Sequence, residues 1–241
     1  MALALTLALG VAGLAYAGGT NPDADASVEG QVTKKKKPRL SPKKFKKVDF
    51  HTGVVTVADV TGTQANPASE KISFGKNIKF KNTSAPVCTT VPGPGSTPAQ
   101  ARAACPAKSF LGSGGAIVQF PIDPPGRVTD TVVSTFNGPG PKQIQLHTFS
   151  NELGAGVPTV LGTIVKANEG KKYGKALSVP NAPETGSFMI QQFDTEISKK
   201  SGVVRARCKS KKFFWKREAT YTDGTTDTAT HSQKCKKKKK K

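Results

Sequence analysis

The sequence predicts an all-β protein, an antiparallel β-sandwich of the jelly-roll or immunoglobulin-like type with one short helix and two disulfides. Three observations predict this class. Short β-type runs recur along most of the chain, turn residues such as Asp223-Gly224 separate them, and four cysteines fall into two close pairs. Regularly spaced short strands between turns are typical of sandwiches, and paired cysteines are typical of exported domains.

The predicted strands lie at 54–60, 71–80, 115–120, 128–136, 143–149, 159–166, 188–193, 203–207, 213–221 and 228–233. In the run 143–147, Ile144 and Leu146 alternate with Gln143, Gln145 and His147. Residues two apart on a strand share a face. The run therefore predicts a half-buried strand whose polar side, His147 included, faces water.

Two local elements have strong signals. A helix is predicted over 97–104, because Thr97 can cap it, Pro98 suits its first turn, and alanine-rich residues follow. A hairpin is predicted between 216–222 and 226–232, since Asp223-Gly224 is a strong turn signal.

Cys88 and Cys105 are 17 positions apart, and Cys208 and Cys235 are 27 apart. An even count favours two structural disulfides within these pairs, although pairing of an early with a late cysteine stays open because connectivity is not readable from sequence. A simple meander over 203–235 would hold Cys208 and Cys235 about 9.6 Å apart, beyond the roughly 7 Å reach of a disulfide. That pairing needs a strand that bends over the sheet, or two cysteine-bearing strands that are direct neighbours.

The chain divides into four predicted regions. Residues 1–17 are interpreted as a signal peptide, because an uncharged apolar run precedes Ala15-Tyr16-Ala17 and is shorter than the roughly 20 residues of a membrane span; an uncleaved anchor is the alternative. Residues 18–47 have little to bury and predict a disordered basic leader. Residues 48–235 predict one β-sandwich domain, and 236–241 a poly-Lys tail. We expect a secreted, cell-surface-associated protein whose mature chain has no transmembrane segment.

The formal net charge of +21 is concentrated towards the ends of the chain. Residues 34–47 and 199–217 each contain nine Lys or Arg, and residues 234–241 contain seven. The segment 48–198 contains 12 basic and 10 acidic residues. The sequence therefore predicts a near-neutral body with basic ends, a pattern typical of polyanion binding or of solubilising tails.

The basic cluster at 199–217 surrounds Phe213, Phe214 and Trp215. Basic and aromatic residues together can hold polyanions. Phe213 and Trp215, two apart, favour the core instead, which leaves the cations on the outside. The candidate polyanion-binding residues are Arg205, Arg207, Lys209, Lys211, Lys212, Lys216 and Arg217.

The strongest enzyme lead is the strand segment 192–196. Alternation places Gln192, Asp194 and Glu196 on one face, similar to the E-x-D-x-E strand of β-sandwich glycosidases, in which two carboxylates act as nucleophile and acid/base. Gln192 stands where that nucleophile would be, and an amide cannot replace it. Asp194 and Glu196 remain carbohydrate-site candidates, and an exposed strand end is the simpler interpretation.

Other chemical motifs are missing from the sequence. The glycine-rich residues 112–115 lack the Lys-Ser/Thr ending of a phosphate loop and precede an apolar run, so they predict a turn with close packing. His51, His147 and His231 lie far from each other in sequence, and none has a second histidine at ligand spacing, which disfavours a metal site. We expect no catalytic residues, no metal, no cofactor and no enzymatic activity.

Residues 105–116 carry the pattern C-P-x-x-S-x-x-G-x-G-x-A, preceded by Cys88 and followed by Phe136-Asn137-Gly138. With Arg207-Cys208, Trp215 and the segment 220–224 closing at Cys235, this arrangement resembles a group of uncharacterised secreted bacterial proteins. The resemblance covers residues 48–235. It implies an exported β-sandwich and no activity.

The sequence therefore predicts a non-enzymatic secreted β-sandwich that associates with the cell envelope or extracellular polyanions through its basic termini. The expected partners are anionic cell-wall or matrix polymers. A carbohydrate-binding module or glycoside-active enzyme is one alternative. Nucleic-acid binding through the basic segments is the other, with no specific nucleic acid expected. The sequence does not indicate an oligomeric state.

Overall fold

A computed structural model describes residues 25–57, 67–120, 126–156, 158–180, 189–221 and 224–237. The predicted signal peptide, residues 1–17, and the last four residues of the predicted tail lie outside the described residues. None of the helices in the described part of the chain is long and apolar enough to cross a membrane. The two disulfides are typical of an oxidising, extracellular environment.

The described residues are mostly strand, with one short α-helix, α1 Pro98–Ala103. The strands are β1 Asp25–Val32, β2 Arg39–Leu40, β3 Lys46–Lys47, β4 Phe50–Val57, β5 Pro67–Gly75, β6 Ile78–Phe80, β7 Phe110–Phe120, β8 Gly126–Asn137, β9 Gln143–Phe149, β10 Val160–Lys166, β11 Tyr173–Val179, β12 Met189–Ile197, β13 Val204–Ala206, β14 Lys212–Tyr221, β15 Thr226–Lys234 and β16 Lys236–Lys237. The predicted all-β class, with its short helix and two disulfides, is confirmed.

Eleven strands form one antiparallel sheet in the order β1-β4-β12-β7-β8-β9-β10-β11-β5-β14-β15. The sheet rolls until its two edge strands lie side by side. The backbone N–H of Val32 in β1 donates a hydrogen bond to Gln233 Oε1 in β15 at 2.8 Å. The main core lies inside the roll, around Phe50, Phe74 and Trp215, which are almost fully buried.

A three-stranded sheet, β3-β13-β6, lies at one end of the roll. Its inner side chains Val204 and Ala206 are buried in the main core, together with Val48 and Val203 beside them. We call this end, where β1 ends and β4 begins, the cap end. The far end is where β14 ends and β15 begins.

The predicted local elements are confirmed. Strand β9 spans 143–149 as predicted. The late hairpin pairs Lys216 with Thr230 and Thr220 with Thr226. Helix α1 has a complete capping box between Thr97 and Gln100. The predicted strand 71–80 is broken at residues 76–77, because β5 and β6 belong to different sheets, and β11 was not predicted.

The prediction of a disordered leader is corrected for residues 25–47. Residues 25–32 form β1, which pairs with β4 over its whole length, from Asp25 opposite Val57 to Val32 opposite Phe50. Strands β2 and β3 follow within the same segment. The folded unit therefore begins before residue 48.

Both predicted disulfides are present, Cys88–Cys105 and Cys208–Cys235. The excluded meander does not occur, since β13 belongs to the small sheet while β14 and β15 belong to the large one. Cys208 therefore approaches Cys235 from a separate layer, with their Cα atoms 6.0 Å apart.

The Cys88–Cys105 disulfide closes a segment that covers the outer face of β8 and β9. We call residues 85–109 the flap. Cys88, Ala101 and Cys105 pack there against Phe136 of β8 in a second, smaller core. The flap is also fixed by Asn137, whose side-chain amide donates to the carbonyl of Ala85 at 2.9 Å.

Candidate functional site

Three basic segments that are far apart in sequence meet at the cap end. Strand β16 pairs in parallel with β2, so that Lys236 lies opposite Arg39. The backbone N–H of Cys208 donates to the carbonyl of Ser41 at 2.9 Å. The Cys208–Cys235 disulfide then joins the middle segment to the last one. The sequence showed the three segments but not that they are neighbours, because each contact is nonlocal.

We define the basic cap as residues 34–47, 76–81, 205–212 and 234–237. These ranges contain twenty basic residues and no acidic one. Most of their lysines are exposed. Within the described ranges, the one ion pair made by the basic cap joins Lys34 Nζ to Glu196 at 4.0 Å, and both side chains are exposed. An exposed pair of this kind contributes little, so the charge of the basic cap is almost uncompensated.

Like charges face each other across the strands of the basic cap. Arg205 in β13 lies directly opposite Lys47 on one side and Lys79 on the other. Lys212 of β14 lies opposite Lys234 of β15. Like charges in directly opposite positions destabilise a sheet. A bound anion would relieve this repulsion.

Five of the seven predicted polyanion-binding residues lie in the basic cap. Lys209, Lys211 and Lys212 are exposed, whereas Arg205 and Arg207 are half-buried. Arg205 Nε donates to the carbonyl of Gly202 at 3.4 Å. The Arg207 guanidinium lies over the Phe45 ring, 4.5 Å from its centroid.

Arg217 is not part of this surface. Its side chain is only 1% exposed and points into the roll, where Nε donates to Glu70 at 2.9 Å and one Nη donates to the carbonyl of Val55. Burial alternates along β14, and Phe213 and Trp215 are fully buried, as the sequence predicted for them. Arg217 is two residues after Trp215, so the same alternation puts its side chain inside the roll. This signal was present in the sequence.

Lys216 is also not available as a polyanion-binding residue. It belongs to an ion-pair ring on the outer face of β5 and β14. Its Nζ lies 2.7 Å from Glu218 and 3.2 Å from Glu169, and Lys71 Nζ contacts the same two carboxylates at 3.0 and 2.7 Å. Ser73 also donates to Glu169. Burial alone would raise the pKa of Glu169, but hydrogen bonds from Lys71, Ser73 and Lys216 outweigh it and bring the pKa to about 2.

The carbohydrate-site candidates Asp194 and Glu196 lie on the outer face of β12, as alternation predicted. Asp194 Oδ1 is 3.6 Å from His51 Nε2, and Glu196 is exposed beside Lys34. Gly53 and Gly115 flank Asp194 on the two neighbouring strands, which leaves its carboxylate uncovered. Glu29 of β1 lies in the same cross-strand row as Asp194, with Gly53 of β4 between them.

The structure corrects the prediction for the polar side of β9. Gln145 and His147 are fully buried because the flap covers them. Gln145 Nε2 donates to the carbonyl of Thr90 at 3.1 Å. Burial lowers the pKa of His147, although backbone groups of Gly93 and Ser96 oppose the effect. The alternation of β9 was predicted correctly, but the strand's outer face is covered by a segment whose position is set by a disulfide.

The glycine-rich residues 112–115 lie within β7. A Cβ at Gly112 would overlap the carbonyl of Glu196, and one at Gly114 would overlap that of Asp194. The predicted close packing therefore explains Gly112 and Gly114, whereas the predicted turn is wrong because these residues lie within a strand. The described residues contain no group of three or more His, Cys, Asp or Glu side chains that could hold a metal ion.

Comparison of the chain with models of known protein families, with curated proteins and with solved structures found no match in any of the three. The class of the protein is therefore defined by its own structure. It is a disulfide-linked, all-β protein whose rolled antiparallel sheet carries a basic cap at one end.

Proposed function

We propose that the protein is a secreted, non-enzymatic binder of anionic polymers of the cell envelope or extracellular matrix, and that the basic cap is its binding surface. The observation that carries the proposal is the density of uncompensated cations in the basic cap. Elsewhere, the buried or partly buried cations Lys71, Lys216 and Arg217 each have a carboxylate partner. In the part of the basic cap that the structure describes, twenty basic residues share one exposed ion pair.

A folded basic cap should bind a polyanion with a smaller loss of conformational entropy than a free basic tail. Each lysine held near an anionic surface contributes about 1 kcal/mol, and salt screens this contribution. A flexible polylysine loses chain entropy when it binds, whereas the small sheet and the Cys208–Cys235 disulfide have already ordered much of the basic cap. Preorganisation is therefore what distinguishes this surface from a solubilising tail.

Export agrees with this proposal. The apolar residues 3–14 followed by Ala15-Tyr16-Ala17 have the pattern of a signal peptide, and both disulfides fit an oxidising compartment. Outside a cell the abundant polyanions are polymers of the cell envelope and of the extracellular matrix.

The test is salt-dependent retention on isolated cell walls. A K209Q/K211Q/K212Q variant removes three exposed charges from the basic cap and should bind about a hundredfold more weakly at low salt, at about 1 kcal/mol per lysine. Its matched control, K209R/K211R/K212R, keeps the three charges at the same positions and should bind within about twofold of wild type on the same estimate. Unchanged retention of the first variant would overturn the proposal.

A further inference from the structure

Arg205 lies at the centre of a row of three cations. Lys47 and Lys79 are directly opposite it on the neighbouring strands, so the three side chains share the outer face of the small sheet. Neighbouring strands are about 4.8 Å apart, which makes the row about 10 Å long. No described carboxylate lies within 4.0 Å of these three side chains. The acid that contacts the adjoining loop is Asp49, whose Oδ1 accepts the backbone N–H of Lys199.

The Arg205 guanidinium is held in a fixed orientation. Its Nε donates to the carbonyl of Gly202, a glycine in the left-handed region with φ +69°. A Cβ at Gly202 would lie 3.1 Å from Lys47 Cε, so the lysine chain crosses the same turn. The two Nη groups of Arg205 have no protein acceptor among the described residues, and they form a fork that can donate to an anion.

Arg207 provides a second fork on the same side of the chain, about 7 Å further along. Its guanidinium stacks on Phe45, and its backbone N–H donates to the carbonyl of Asn77 at 3.0 Å. Its Nε is buried, with no hydrogen-bond partner in the described part of the chain. Both arginines are therefore oriented by the fold, unlike the free lysines around them.

The row favours an anion with more than two acceptor oxygens. A carboxylate has two oxygens, and one arginine fork occupies both. A phosphate or sulfate monoester has three free oxygens, so it can accept from the Arg205 fork and from a flanking lysine together. A phosphodiester has only two free oxygens. Single-stranded nucleic acid is usually also held by exposed aromatic side chains that stack on its bases, whereas Phe213 and Trp215 are buried and Arg207 covers Phe45.

We propose that Arg205 and Arg207, with Lys47 and Lys79, form a site for phosphate or sulfate monoesters, which makes the protein selective for polysaccharides that carry such groups. This inference rests on the proposed function, since it names the polymer that the basic cap binds. The remaining lysines of the basic cap add affinity through charge without selectivity.

The experiment measures affinity by calorimetry at fixed salt for dextran sulfate, phosphorylated dextran, polyglutamate and single-stranded DNA of similar charge density. The protein should bind the two monoester polymers at least about tenfold more tightly than the other two. The charge-conserving R205K/R207K variant should lose this preference, because lysine cannot form the fork. The control R102K, which changes an exposed arginine of α1 outside the basic cap, should retain the preference.

A second variant, K47Q/K79Q, leaves both arginines in place. It should also lose the preference, because it removes the flanking lysines that would contact the third oxygen of the anion. Thermal melting reports whether each variant is folded. Whichever of the two monoester polymers binds more tightly identifies the natural group as a sulfate or a phosphate. Equal binding of all four polymers, or tighter binding of DNA, overturns the inference and leaves the proposed function standing. Failure to bind any of them overturns the proposed function itself.

Discussion

At the scale of single residues, two arginines twelve positions apart have opposite environments. Arg205 points out of the small sheet, and Arg217 lies inside the roll with Glu70 as its partner. Burying a charge is costly unless it is paired and hydrogen-bonded. Arg217 meets this condition, so its charge is tolerated in the interior and is unavailable to a ligand. Counting basic residues along a sequence cannot separate these two roles.

His147 gives the fold a dependence on pH. Because burial lowers its pKa below 6.5, the unfolded chain binds a proton near that pH that the folded chain does not. Stability should therefore fall as the pH drops below about 6.5, by at most about 1.4 kcal/mol per pH unit for one proton. The H147F variant should show a shallower loss between pH 6.5 and 5 in denaturant unfolding. Burial also lowers the pKa of His231. Some loss of stability at low pH should therefore remain in the H147F variant.

The control for this prediction is Q145M, which changes the neighbouring buried polar side chain under the flap without removing a titrating group. It should alter the overall stability but leave the dependence on pH as in the wild type. A pH dependence of H147F equal to that of the wild type would show that His147 does not titrate in this range.

At the scale of elements, local signals were sufficient where an element is defined by its own residues. The capped helix α1 and the Asp-Gly hairpin were predicted because capping and turn chemistry act over a few residues. Strand β1 was missed because its inward side is only partly apolar. Gly30 sits there because a Cβ would overlap the Trp215 indole, which fills the space from β14. The side chain that buries this part of β1 thus belongs to a strand almost two hundred residues away.

The Cys208–Cys235 disulfide should be required for polymer binding by the basic cap, whereas the Cys88–Cys105 disulfide should not. In each case loss of the bond should cost roughly 3 kcal/mol of stability by freeing the unfolded chain. The C208A/C235A variant should also bind anionic polymer more weakly, because β16 and the segment after β13 lose their covalent connection. Affinity measured below the melting temperature tests this.

C88A/C105A is the matched control, because that bond fixes the flap on β8 and leaves the basic cap untouched. It should melt at a lower temperature and bind as the wild type does. If both variants lose affinity equally, the effect comes from general destabilisation rather than from the assembly of the basic cap.

At the scale of the whole molecule, charge is segregated between the two ends of the roll. At the far end, the described residues of the connection from β9 to β10 include one acidic residue, Glu152, and no Lys or Arg. The basic cap, in contrast, contains twenty basic residues and no acidic one. The sequence contains these charges, but only the strand order shows which of the described segments lie at the same end. The whole-chain charge of +21 therefore understates the field at the cap end.

The segregation predicts that the position of a charge, rather than the net charge, determines binding. Strand β8 has twelve residues and runs about 40 Å, whereas the screening length at physiological salt is about 8 Å. K209E in the basic cap should weaken polymer binding about thirtyfold, and E152K at the far end should leave it within about twofold. The double variant K209E/E152K restores the net charge of +21 and should bind as weakly as K209E alone. Recovery of affinity in the double variant would mean that the protein binds through its total charge and that the basic cap is not a separate surface.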